Sequence, residues 1–195
     1  MTLQLQISKA LSTDLKSHPI EASTDLHAMQ WYGHRVQVLR RKCVILMELQ
    51  SRYAMVFTGL TKPDFARFPE LVRERLWREA LSICQLDDEQ SARLAGLVNV
   101  ISQPVQIMTG SDRSVQAHLK EVAWHLDWMA NEVGALPADS GEEFSFGLRV
   151  NQMPRKSKGE KEYFYPLEVL RDFWLGLLAH DKPRPDNVVP FRRPY

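Results

Sequence analysis

The sequence predicts an α+β fold: a small, mainly antiparallel sheet packed against two or three helices, with a C-terminal helical extension. Three observations predict it. Residues 29–59 hold three strand-like stretches in succession, separated by short polar breaks. The segments at 69–84 and 112–134 change to a period of about 3.6 residues, the spacing of an amphipathic helix. A further apolar helix follows only near the C-terminus, at about 166–180.

The elements follow in order. Leu3, Leu5 and Ile7 alternate with polar residues, as in a half-buried strand. A short helix at 9–17 can start from Ser8 or Ser12 and ends at His18-Pro19, before a polar loop containing Glu21, Ser23, Thr24 and Asp25. From Met29 to Leu39 the pattern alternates, with Trp31, Val36 and Val38 as inward candidates. Cys43 to Met47 is a continuous apolar run, fit for a central strand, and Tyr53 to Thr58 is a third strand. Arg40-Arg41-Lys42 and Gln50-Ser51-Arg52 have the length of hairpin turns, so these strands read as a meander.

Gly59-Leu-Thr-Lys-Pro punctuates the change to helix, and Pro69 suits a first helical turn. Val72, Leu76, Ala80 and Ile83 make one buried stripe. A short helix at 87–96 precedes a strand-like stretch from Val98 to Met108. The helix at 112–134 opens on Ser111 or Asp112 as cap, runs through Val115, Leu119, Val122, Leu126, Met129 and Val133, and closes on Gly134. Residues 135–162 read as loop, and the Pro-rich tail from Lys182 has no packing period. The division expected is an α+β domain at 1–138, followed by the loop, helix and Pro/Arg-rich tail of 139–195.

Composition narrows the function classes. The net charge of +1 gives no global field toward nucleic acid or membrane. Residues 149–195 nevertheless hold ten Lys/Arg against six Asp/Glu. Cys43 and Cys84 sit in apolar runs and read as buried thiols rather than a disulfide or zinc site. No apolar stretch approaches the ~18 residues of a membrane span. No basic start with an apolar run marks a signal peptide, so the cytoplasm is the expected location. No phosphate loop, Gly-x-Ser-x-Gly or Cys/His nucleophile pair is present, and no cofactor or metal is implied.

Three groups of residues are candidates for function. His118, Glu121 and His125 share one flank of the 112–134 helix, where Glu121 can orient either imidazole, and with Arg113 at the helix start they form a candidate polar cluster. The two His are seven residues apart, about 10 Å along the axis, too far for the usual zinc pair. Arg113 at a helix start invites either a structural bridge or an anion such as phosphate. Trp124 and Trp128 lie opposite Leu126 and need a cover. The C-terminal helix, with Phe173 and Trp174, is the expected one, and a protein partner or second copy of the chain is the alternative. Finally, Arg35, Arg40, Arg41 and Lys42 beside Trp31 and Tyr32, with Arg155, Lys156 and Lys158, form a loose nucleic-acid signal. The plainer readings are an amphipathic helix flank, core aromatics and solvated charge.

Four stretches together resemble a family of bacterial α+β domains of unknown function: Trp31-Tyr-Gly-His34, Arg41-Lys-Cys-Val-Ile-Leu46, Arg52-Tyr-Ala-Met-Val-Phe-Thr-Gly-Leu60 and Asp112-Arg-Ser-Val115. The likeness spans roughly residues 2–133. This sequence departs from it at Tyr32-Gly33-His34, where His-Ala-Asn is usual, and at Gln116-Ala-His-Leu119, where Gly-Ser-Met-Asn is usual. The resemblance implies a compact α+β domain and carries no activity over. The sequence therefore favours a protein-interaction or regulatory module, of a mobile-element or defence system. A nucleic-acid binder is the alternative, and an enzyme on the 112–134 helix the second alternative.

Overall fold

The computed structural model describes residues 2–17, 19–21, 28–110, 112–156 and 162–181. Ser23, Thr24, Asp25, Ser111, Lys158 and the tail from Lys182, all weighed above, lie outside them. Strands β1 (Leu3–Ile7), β2 (Ile20–Glu21), β3 (Met29–Val38), β4 (Arg41–Glu48), β5 (Ala54–Leu60) and β6 (Val105–Thr109) form one sheet in the order β2-β6-β1-β3-β4-β5. The helices are α1 (Lys9–Leu15), α2 (Lys62–Ala66), α3 (Phe68–Cys84), α4 (Asp88–Ile101), α5 (Arg113–Val133), α6 (Ser140–Asn151) and α7 (Pro166–His180).

The expected meander is β3-β4-β5, antiparallel throughout and turned at Leu39–Arg40, where both residues adopt positive φ as a tight hairpin requires. The remaining pairings are parallel, β1 with β3 and with β6, and β2 with β6, so the sheet is mixed. Parallel neighbours follow from the connections: each is reached through helices rather than a turn. Strand β1 is buried on both faces, not half-buried. Its Gln4 Nε2 donates to Gln106 Oε1 (3.2 Å) and its Gln6 Nε2 to Gln30 Oε1 (3.1 Å), which lets amides occupy an interior face.

One face of the sheet presents Leu3, Leu5, Trp31, Val44, Leu46, Met55 and Phe57 to α1, α3, α4 and α7. The other presents Tyr32, Ile45, Met47, Ala54 and Val56 to α5 and α6, whose Val115, Leu119, Val122, Leu126, Phe146 and Val150 fill it. Helix α5 is capped by Asp112, which accepts from Ser114 N (2.8 Å) and Val115 N (3.0 Å), and Gly134 ends it in the left-handed region.

Three segments differ from expectation. The strand-like stretch from Val98 is helical to Ile101, because Leu94, Val98 and Ile101 form a stripe packed on α3, and only Val105–Thr109 is strand. Residues 140–151, read as loop, form α6, capped by Asp139. Helix α7 packs on α3 and α4, with Trp174 in the core, so it lies across the sheet from α5 and does not cover Trp124 and Trp128. Those indoles are exposed to 61% and 55%.

The free edge of β5 is closed by side chains. Asn151 Oδ1 accepts from Ala54 N (2.7 Å) and its Nδ2 donates to Ala54 O (2.8 Å), imitating a neighbouring strand. Glu143 Oε1 accepts from Thr58 N (2.6 Å) and Thr58 Oγ1 (2.9 Å). Its Oε2 accepts from Arg75 Nη1 (2.7 Å), while Arg75 Nε donates to Glu79 and Tyr53 Oη donates to Glu79 Oε2 (2.7 Å).

Candidate functional site

Strands β1 and β6 are parallel neighbours whose carboxyl ends lead to opposite faces, β1 to α1 and β6 to α5. In sheets covered on both faces, such a divergence at the strand ends is the usual place of a ligand crevice. Here Gly110 turns the chain directly over Gln6: a Cβ at Gly110 would lie 1.6 Å from Gln6 Oε1, so a side chain there would have to displace the Gln6 amide.

Around this corner the fold gathers Tyr32 from β3, Arg52 from the β4–β5 turn, Asp112, Ser114 and His118 from α5, and Arg155 from the segment after α6. Tyr32 is opposite Gln6 on one side and Met47 on the other. Glu48 builds the turn that carries Arg52, accepting through Oε2 from Gln50 N (2.9 Å), Ser51 N (2.6 Å) and Ser51 Oγ (2.7 Å). Arg52 itself sits at φ +59°, a left-handed position that a glycine or asparagine would take at lower cost. Its Nη2 is 3.5 Å from Ser114 Oγ. The backbone of Arg155 pairs with Phe164 as an isolated bridge, and its Nη1 rests 3.7 Å from Met47 Sδ, a weak acceptor.

Both guanidiniums are interior, Arg52 exposed to 8% and Arg155 to 4%. Arg52 Nε and Nη1 and Arg155 Nε are buried with no hydrogen-bond partner. Leaving a buried donor unpaired costs about 1–3 kcal/mol, and more for a charged group. The carboxylates nearby are engaged elsewhere, Asp112 in the α5 cap and Glu48 in its own turn. Burial lowers the proton affinity of both groups, to about 10 for Arg155; Glu121 and then Arg52 act on Arg155 in opposite senses, while Asp112 and Glu48 partly offset burial at Arg52. Burial, then Arg155, lowers the pKa of His118, whose Nδ1 is 3.5 Å from Glu121 Oε2. Burial, then Asp112, raises that of Tyr32.

The residues singled out from the sequence divide among different places. His118 and Glu121 pair at the edge of the crevice, whereas His125 turns its ring to Trp124, with centroids 4.9 Å apart. Arg113 is exposed on the first turn of α5. Trp124 and Trp128 share one surface; Trp174 is in the core and Phe173 is packed beside it, so the four do not form one patch. Arg35 and Lys42 both pair with Asp14, at 3.2 and 2.7 Å. Arg40 and Arg41 are exposed at the hairpin, and Lys156 lies 5.5 Å from the Tyr163 ring. Arg155, expected on a basic surface loop, is inside. Sequence reasoning passed over Arg52 as a turn residue. Its one signal was that Trp31–His34, Arg52–Leu60 and Asp112–Val115, stretches that carried the family resemblance, meet at this crevice.

The fold and site together define an α+β domain with buried, partly unpaired arginines at the start of its longest helix. The chain belongs to the family described as Domain of unknown function (DUF6933), whose model matches residues 4–169 and so takes in α6 and the start of α7. No curated protein and no solved structure matches it. No helix among the described residues is long and apolar enough to cross a membrane.

Proposed function

We propose that this protein is a regulatory module that binds a small anionic ligand in the crevice. The observation that carries the reading is the set of buried guanidinium N–H groups, Arg52 Nε and Nη1 and Arg155 Nε, without an acceptor. An oxyanion supplies acceptors to both arginines, and Ser114 and Tyr32 add hydroxyl donors beside them. The test is thermal melting of the full chain in inorganic phosphate, acetate and malonate at constant ionic strength. At least one of these anions should raise the Tm, since a ligand of the native state stabilises it by mass action. The Arg52→Gln protein should lose that rise. No rise in any anion contradicts the reading.

A protein contact through α5 is a second reading, supported by the exposed Trp124 and Trp128. Beside them His125, Met129, Phe146, Arg149 and Met153 line a cleft of about 150 Å³. Contiguous exposed indoles of this kind mark contact surfaces. Light scattering of the wild type and of Trp124→Ser/Trp128→Ser reads self-association directly. The nucleic-acid reading keeps Arg40, Arg41 and Lys156 as exposed cations, since Arg35 and Lys42 are tied to Asp14 and Arg155 is buried. The absence of retention on heparin at low salt would end it.

A further inference from the structure

We infer that the group the crevice takes is a phosphoryl group, as inorganic phosphate or as the phosphomonoester end of a small molecule, rather than a carboxylate. This rests on the oxyanion reading above and narrows it. Charge is the first argument. Two buried guanidiniums stand within electrostatic reach of one another. Asp112 and Glu48 act on Arg52, and Glu121 acts on Arg155. Among the described residues, however, no carboxylate pairs with either at ion-pair distance, and Arg52 Nε and Nη1 and Arg155 Nε stay without an acceptor. A phosphomonoester carries about −1.5 to −2 at pH 7 and compensates both. One carboxylate supplies one charge, which sets phosphate apart from acetate; malonate, a dianion at pH 7.5, differs from phosphate in shape rather than in charge.

Geometry is the second argument. The unpartnered donors come from separate pieces of chain, Arg52 from the β4–β5 turn and Arg155 from beyond α6, and Arg52 Nη2 lies 3.5 Å from Ser114 Oγ on α5. A carboxylate is flat and is best met by a single two-pronged guanidinium. Three phosphoryl oxygens that are not coplanar with one another suit donors arriving from several directions. The start of α5 adds a favourable dipole, although Asp112 already holds the amides of Ser114 and Val115, so the arginines rather than the helix end carry the binding.

The experiment is calorimetric titration of the full chain at pH 7.5 with inorganic phosphate, methyl phosphate, acetate and malonate, each at one ionic strength. The inference expects inorganic phosphate or methyl phosphate to bind at least tenfold more tightly than either carboxylate. Whichever of the two binds more tightly tells a free ion from an ester end. Arg52→Gln and Arg155→Met should each weaken phosphate at least tenfold, and Arg40→Gln, at the exposed hairpin, should leave it unchanged. Circular dichroism checks that each variant is folded, and competition of acetate against phosphate on the wild type gives the same answer without any variant. Acetate or malonate binding as tightly as phosphate, with loss of both in the arginine variants, overturns the phosphoryl inference and leaves the oxyanion reading standing. Binding of none of the four overturns both.

Discussion

The molecule buries arginine in two places, and the two are built differently. At the β5 edge, Arg75 donates to Glu79, to Glu143 and to Val56 O, and Tyr53 and Thr58 complete the carboxylates. Burial alone would lower the proton affinity of Arg75, but Glu79 and then Glu143 hold it above its ordinary value. At the start of α5, Arg52 and Arg155 are as deeply placed, yet their proton affinities fall and three of their side-chain N–H positions, Arg52 Nε and Nη1 and Arg155 Nε, lack acceptors. A closed network of this kind fixes helices to a sheet. An open one, in a fold that can close such networks, has the form of a site awaiting its other half.

The sharpest way to break the comparison is to open the closed network. Glu143→Ala strands the Arg75 charge and frees the Thr58 amide, and should cost about 3–5 kcal/mol in urea denaturation. Asn151→Leu removes the amide that completes the β5 edge without touching a charge, so it should cost less, about 2–3 kcal/mol. Losing the α5 cap in Asp112→Ala should cost about 1 kcal/mol and should leave the β5 edge intact, seen as unchanged amide protection at Ala54 and Thr58. The smallest effect is a pH slope. The pKa values of His118 and His34 lie below their ordinary value of 6.5, so the unfolded chain binds protons more readily in that window. Stability should therefore be flat above about pH 7 and fall as pH drops through 6.5 toward the folded values. His118→Gln should flatten part of that fall, and phosphate should reduce it by screening the arginines.

How much of this was legible in the sequence depended on whether apolar residues alone drew the pattern. Helix α5 was readable to within a residue because Asp112, the Val115-to-Leu126 stripe and Gly134 agree on one element. The β3-β4-β5 meander was readable for the same reason. Helix α6 was not. Its buried positions are Glu143, Phe146, Gly147, Val150 and Asn151, and the stripe spans the helix only when the two polar residues count as buried. Its apolar residues alone, Phe144, Phe146, Leu148 and Val150, alternate like a strand. The site was harder still. Its arginines come from a turn and from a segment that reads as a basic loop, and only the tertiary fold shows that both heads are interior.

One pair of measurements tests the contrast most directly: urea denaturation of Arg75→Met and Arg155→Met in phosphate-free buffer. Removing Arg75 should cost about 3–5 kcal/mol, because it leaves Glu79 and Glu143 buried and unpaired. Removing Arg155 should cost less than about 1 kcal/mol or raise stability, because it deletes a buried charge that no carboxylate among the described residues pairs with at ion-pair distance and whose Nε lacks an acceptor. Equal losses in the two variants would mean that Arg155 is already fully engaged within the fold, and the crevice would then be a structural element rather than a site.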